Sequence, residues 1–267
     1  MVLESRFDLE QESSLCNWYP KIFGKIPTPR TRIMKLTPEE VEQLRATTDG
    51  SEIPTPLKIA IRHETLGLGT PIFLRTDQAS GKHDWKYTCF VDDKSKILQR
   101  VANLVSWHEC ADIFGLHFEA LVFREYLPLQ SKFTAFNGMP VAPEWRLFVR
   151  DGTVVCRHFY WPSDAIINPS IQDWKEALRE MSFLSLGDAH LLRGYTEVFG
   201  KENPGFWSVD FALTWDKGWV MIDAARGEIS WHPESCPYCP EDQKKKPDAG
   251  IPAKIDFDSM LKEKSDE

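Results

Sequence analysis

The sequence predicts an α+β fold, and three observations carry that prediction. Two segments read as antiparallel hairpins, 145–160 around Asp151-Gly152 and 206–223 around Asp216-Lys217-Gly218, because Asp-Gly and Gly-bearing turns suit tight strand reversals. Helical periodicity falls between the strand-like runs rather than in strict strand–helix alternation. No GxGxxG or GxxxxGK[ST] stretch occurs, so neither a Rossmann nor a P-loop nucleotide site is supported.

The chain of 267 residues is 42% hydrophobic and 12% aromatic, enough for a substantial core. In order along the chain, residues 1–35 read as irregular, with a proline-spaced stretch at Ile26-Pro27-Thr28-Pro29-Arg30. Thr37-Pro38-Glu39-Glu40 is a helix start, supplying an N-cap, a proline at the first position and a glutamate at the third. Residues 49–56 form a turn-rich linker. Ile72–Arg75 and Tyr87–Val91 read as strands, separated by the polar loop 76–83. Ile97, Leu98, Val101, Leu104 and Val105 place a helix within 93–114. Phe118–Tyr126 reads as a buried strand, and 170–183 and 186–199 as helices. The tail from 241, with Lys244-Lys245-Lys246, reads as a loosely held surface segment.

Lysine and arginine total 32 against 40 aspartate and glutamate, a net charge of −8. That excludes a generally basic nucleic-acid binder and leaves open a local basic groove. No window approaches 18 consecutive apolar residues, so no membrane span is expected. The acidic, polar N-terminus lacks signal-peptide layout, and six cysteines are too sparse for a disulfide scaffold. The expectation is a cytoplasmic protein with mostly reduced thiols.

Five places could carry chemistry. Arg75 with the Ser80-Gly81-Lys82 loop can set two cations over a polyphosphate, the arginine gripping oxygens in pairs and the lysine acting as a mobile charge; the alternative is an exposed basic turn. Glu125-Tyr126-Leu127 follows an apolar strand and can offer backbone groups to an adenine edge and a carboxylate to a ring amino group or a ribose hydroxyl; the alternative is an ordinary strand exit before Pro128. In Glu144-Trp145-Arg146-Leu147-Phe148-Val149, alternation puts Glu144, Arg146 and Phe148 on one face. Arg146 there can hold a phosphate, or else form a Glu–Arg pair across the pleat. Asp210 and Asp223 lie in apolar strands, where their charge demands compensation; Mg²⁺ supplies it, unless both sit at strand ends in water. Cys236-Pro237-Tyr238-Cys239 with His232 has thiolate-pair spacing, but no second CxxC follows, and a structural role or none is favoured.

Taken in order, these segments resemble the ATP-grasp superfamily over roughly residues 57–231. Phe73-Leu74-Arg75-Thr76-Asp77 with Ser80-Gly81-Lys82, then Val122-Phe123-Arg124-Glu125-Tyr126, then Glu144 to Val149, then Asp210 and Asp223 carry the resemblance. It is closest to a clade, frequent in bacteria and phages, with Arg in place of the first phosphate-binding Lys. In layout it is also similar to eukaryotic ATP-grasp chaperones that assemble a translation-initiation factor. The resemblance implies two α+β lobes with ATP between them. Residues 1–56 would be an N-terminal extension or truncated pre-ATP-grasp segment, 57–240 the ATP-grasp domain and 241–267 a polar tail.

By residue, the resemblance implies that Arg75 and Lys82 contact phosphates. Glu125, Tyr126 and Leu127 line adenine and ribose, and Arg146 faces the γ-phosphate or substrate, which makes Arg146 and Lys82 the candidate catalytic residues. Asp210 and Asp223 bind Mg²⁺. The usual closing motif, an acid, one residue, then Asn, reads Asp223-Ala224-Ala225 here, and Glu228 is the candidate substitute ligand. The implied activity is an ATP- and Mg²⁺-dependent ligase joining an unidentified carboxylate, on a protein or peptide among other candidates, to an amine through an acyl phosphate. The competing expectations are an ATP-binding assembly chaperone or adaptor with little turnover, and a ligase that modifies nucleic acid.

Overall fold

The computed structural model describes residues 5–112 and 117–239. Contacts group residues 1–230 into one compact unit, with a second beginning at Trp231.

The first unit is built on two antiparallel four-stranded sheets. One contains β1 (Thr31–Lys35), β2 (Ile72–Thr76), β3 (Phe90–Val91) and β4 (Ala120–Glu125) in the order β1-β4-β2-β3. The other contains β7 (Glu144–Arg150), β8 (Thr153–Phe159), β9 (Phe206–Thr214) and β10 (Gly218–Arg226) in the order β10-β9-β7-β8. Between them in sequence lies a small hairpin, β5 (Phe133–Ala135) and β6 (Met139–Val141). This is the α+β class expected.

The helices follow from local signals joined to burial. α3 (Pro38–Arg45) has the Thr37/Glu40 capping box in full. α4 (Thr55–Glu64) and α5 (Ile97–Asp112) bury Leu57, Ile61, Val101 and Leu104 against Ile72, Leu74, Leu121 and Phe123 of the first sheet. α6 (Trp174–Met181) covers the β5–β6 hairpin through Leu178 and Met181. α7 (Leu186–Glu202) packs Leu192 and Phe199 on the second sheet. Both predicted hairpins form. Asp151 (φ 47°) and Gly152 (φ 80°) both take left-handed backbone at the β7–β8 turn, as a primed turn requires.

The N-terminal segment departs from the irregular reading. Residues 6–12 form α1 (Arg6–Glu12), capped by a Ser5/Asp8 box, and α2 (Leu15–Ile22) follows with Ser14 as its N-cap. Both are short for autonomous helices. They hold because Leu15, Trp18, Tyr19 and Ile22 enter the core of the second sheet beside Phe199, Phe211 and Met221. Residues 1–56 therefore furnish two helices to the second lobe's core and the edge strand β1 to the first lobe's sheet.

Three smaller differences have local causes. The Tyr87–Val91 strand shrinks to two residues because the Asp84 carbonyl captures the Tyr87 and Thr88 amides. The 49–56 linker ends in the first turn of α4. The β5–β6 turn runs through Phe136, Asn137 and Gly138, all at positive φ, and its Asn-Gly was a hairpin signal in plain view. The polar tail from 241 lies outside the described residues. Within the second unit, 231–239 is a turn segment in which the Cys236 amide donates to Pro233 and the Cys239 amide to Cys236. Cys16, Cys89, Cys156, Cys236 and Cys239 are free thiols.

Asp77 holds the lobes in place from the start of the loop after β2. Its Oδ1 accepts from the amides of Glu119 and Ala120, both at 3.0 Å, and its Oδ2 from the Ser14 hydroxyl at 2.6 Å. Asp77→Ala strands three buried donors and should lower the free energy of unfolding by about 3 kcal/mol, and Ser14→Ala by about 1 kcal/mol. Urea denaturation of the two variants checks the ranking; equal losses would refute it.

Candidate functional site

The cleft between the two sheets encloses about 790 Å³, within the range of small-molecule sites. One end is apolar, lined by Phe73, Trp85, Tyr126, Leu127, Leu129 and Met139. The other is polar, lined by Arg75, Lys82, Arg124, Glu144, Asp210 and Asp223. A flat ring system suits the first and a polyanion the second.

The polar end is positioned by strand register. Arg146 of β7 pairs with Asp210 of β9, which pairs with Asp223 of β10. The three lie in one row across the second sheet. Asp223 reaches that row because of a β-bulge between Met221 and Asp223. Trp219 and Met221 face the core, and strict alternation would send Asp223 after them. The extra residue, Ile222, flips the phase, so that Ala224 returns to the core and Asp223 faces the cleft.

Each aspartate has a guanidinium. Arg146 donates to Asp210 through Nε and Nη2, both at 2.8 Å. Arg75, on the facing sheet, donates from Nη1 to Asp223 at 2.9 Å. The compensation that the apolar flanks demanded thus comes from arginines of both lobes. Burial works against the Arg146 charge, but the Asp210 carboxylate outweighs it and holds the guanidinium protonated far above its ordinary range.

Lys82 sits in a short 3₁₀ turn after Gly81, whose φ of 60° is left-handed. Its Nζ donates to the Tyr160 hydroxyl at 2.7 Å and lies 4.3 Å from that ring's centre. The Arg146 guanidinium lies 4.8 Å from the same ring. Burial favours the neutral amine, but Tyr160, Glu144 and Asp210 more than offset it and Lys82 stays charged. Tyr160 thus holds two cations on one neutral partner. It escaped the sequence reading, since a tyrosine ending a strand carries no motif.

At the apolar end, Trp85 stacks on Phe90 and Tyr126 meets Phe90 edge-on at 5.5 Å. Glu125 lines the cleft, but its carboxylate is engaged: Oε1 accepts from the Arg30 amide and Lys217, and Oε2 from Arg30 Nε at 2.9 Å. It ties the N-terminal segment and the β9–β10 turn to β4. Burial raises its pKa, and these hydrogen bonds outweigh that and hold it below the usual range. The Leu127 carbonyl accepts from the Leu129 amide at 2.9 Å. Glu228 does not line the cleft. It follows β10, and its carboxylate accepts from Arg226 Nε and Nη2 at 3.2 and 3.0 Å. Ala225, where an Asn was expected, has no ligating atom.

Glu144 and Arg124 join the site although no role was expected of either. Glu144 is buried, and its carboxyl is pushed up to about 8 by that burial, with Lys82 opposing and Asp210 adding to the shift. It can therefore hold a proton at neutral pH beside the aspartates.

The family model for the ATP-grasp domain of the Arg-to-Lys clade, family 3, matches residues 65–243, more than half the chain. The structure of Cdc123 from Schizosaccharomyces pombe aligns with a TM-score of 0.56 at 14% identity, covering 85% of this chain and 87% of that one. Its C-terminally truncated form gives 0.55 at 14% identity, with 84% and 87% covered. A RimK domain ATP-grasp protein from Sphaerobacter thermophilus gives 0.43 at 13% identity, with 84% and 62% covered. At these identities the likeness is one of fold, and the third score carries no argument. No curated protein matches the chain.

The Glu144 shift makes a signed prediction. Its folded pKa lies near 8, above its ordinary 4.5, so the folded state binds the extra proton between those values. Stability from this group is present below pH 4.5 and is lost as pH rises through 8. Between pH 5 and 8 the melting temperature of the wild type should fall relative to Glu144→Gln. Parallel melting curves for the two proteins would contradict it.

Proposed function

Since the chain belongs to family 3 of the Arg-to-Lys clade of ATP-grasp domains, we propose that it binds ATP with Mg²⁺ in the cleft and uses it as a ligase, activating a carboxylate as an acyl phosphate for attack by an amine. The observation that carries this is the row Arg146–Asp210–Asp223 facing Arg75 across the polar end, continuous with an aromatic-walled pocket. In this reading the adenine lies among Trp85, Tyr126 and Leu127. Arg75, Lys82 and Arg146 take phosphate oxygens, which arginine does bidentately.

The donor set fits Mg²⁺. Asp210 and Asp223 are hard oxygen ligands at direct register on one face, and Mg²⁺ is held by one or two carboxylates plus phosphate oxygens. When bound, the ion would neutralise charge gathering on the transferred phosphoryl group. In the ligand-free cleft the same carboxylates hold Arg146 and Arg75 in place, pre-aimed at the space between the lobes. The carboxylate oxygen of the substrate bonds to the γ-phosphorus as the bond to ADP breaks. The amine then displaces phosphate, and its proton leaves with solvent or with the released phosphate. The cations stabilise charge in a site shielded from water, where such contacts act most strongly.

A second reading has one observation in its favour. With Ala225 in place of an Asn and Glu228 turned to Arg226, the metal site has two carboxylates from its own strands. That suits a protein that binds ATP and turns it over little, as an assembly chaperone or adaptor does. Location in the cytoplasm is part of either proposal; no helix among the described residues is long and apolar enough to cross a membrane.

ATP with Mg²⁺ at 100 times its dissociation constant should stabilise the protein by about 2.7 kcal/mol, read as a rise in melting temperature. No rise would sink the nucleotide site. Asp223→Asn keeps an oxygen for Arg75 and should abolish the dependence of ATP binding on Mg²⁺. ATP consumption that requires an added carboxylate and amine, and disappears in this variant, favours the ligase; binding without consumption favours the adaptor.

A further inference from the structure

We propose that Arg124 binds phosphate, forming with Arg75 a two-guanidinium subsite for the phosphate attached directly to the nucleoside. The assignment deepens the nucleotide reading above and rests on it.

Arg124 is 3% exposed and lines the polar end of the cleft. Among the described residues it has no carboxylate partner. Its one recorded hydrogen bond runs from Nη1 to the Ile222 carbonyl at 2.6 Å, and its Nε is buried with no partner at all. The bulge that turns Asp223 outward makes that carbonyl the one Arg124 reaches across the cleft. A buried guanidinium left so poorly matched is costly unless an anion arrives.

Arg75 makes the imbalance greater. In the β2–β4 register Arg75 faces Val122 and Phe73 faces Arg124, so both arginines lie on one face, diagonal neighbours. Two guanidinium groups share one carboxylate, Asp223. Burial first and Arg75 second lower the Arg124 pKa to about 9, which leaves it charged at neutral pH.

The position selects which phosphate. The cross-strand partner of Arg124 is Phe73, a wall of the apolar end, and the next residue but one is Tyr126. Arg124 therefore sits where ring pocket meets polar pocket, whereas Arg146 and Lys82 gather around Tyr160. A phosphate at that junction is the one bonded to the ribose.

Calorimetric titration of wild type and Arg124→Met with adenosine, AMP, ADP and ATP tests this. AMP, ADP and ATP should each weaken by the same factor, about tenfold or more, with adenosine unchanged. The ligand-free melting temperature should rise, because an apolar chain of similar length replaces an uncompensated buried charge. AMP binding at wild-type affinity overturns the proposal, as does adenosine weakened equally with AMP, which would mark a purely structural role. Should the methionine variant not fold, Arg124→Lys should show the same shared factor at smaller size, and a factor confined to ATP would overturn the assignment. Inorganic pyrophosphate separates the two claims. If wild type ignores adenosine and AMP but binds pyrophosphate in an Arg124-dependent way, the nucleotide reading falls and the anion subsite stands; pyrophosphate bound equally by both proteins removes the subsite.

Discussion

Two aspartates meet at direct register on β9 and β10, and the cleft is organised around neutralising them. At about 5 Å and an effective dielectric near 20, two like charges repel by about 3 kcal/mol. A guanidinium about 4 Å away returns about 4 kcal/mol to each carboxylate on the same scale. One such guanidinium comes from the neighbouring strand and the other from the opposite lobe. The Arg75–Asp223 pair is therefore a bond between lobes as well as a charge pair. Asp223 is partly open to water, which weakens its share and leaves it able to change partners. Cations and anions that neutralise each other in the empty cleft are those that a metal–polyphosphate ligand would separate and satisfy.

The second constraint is the bulge at Ile222. One added residue turns Asp223 from the core to the cleft and places a main-chain carbonyl against Arg124. The strand is otherwise an alternating core strand, with Trp219, Met221 and Ala224 packed inward. The functional face is thus produced by a defect in regular pairing, in keeping with the tendency of bulges to re-aim side chains beside active sites.

Much of this was legible in the chain. The α3 capping box, the helix within 93–114, both hairpins and the Glu144/Arg146 face followed from capping chemistry and period-two alternation, which act over a few residues. Arg75, Lys82, Asp210 and Asp223 stood out as charges in apolar strands or at a glycine-bearing loop, and they do line one cleft. α1, α2 and β1 did not show, because their stability comes from contacts more than a hundred residues away in sequence. Glu228 drew notice by proximity to Asp223, but a strand end is followed by a turn, and the turn carries it to Arg226.

By itself, then, the sequence determined the α+β class, the principal hairpins and the identity of most charged groups facing the cleft, since each depends on neighbours within a turn or a strand. Tertiary structure alone decided which charges pair, that Tyr160, Glu144 and Arg124 belong to the site, and that Glu125 ties segments together. The reason is that pairing and burial depend on register and on the approach of distant strands. A one-residue bulge changes both without leaving a mark in composition or periodicity.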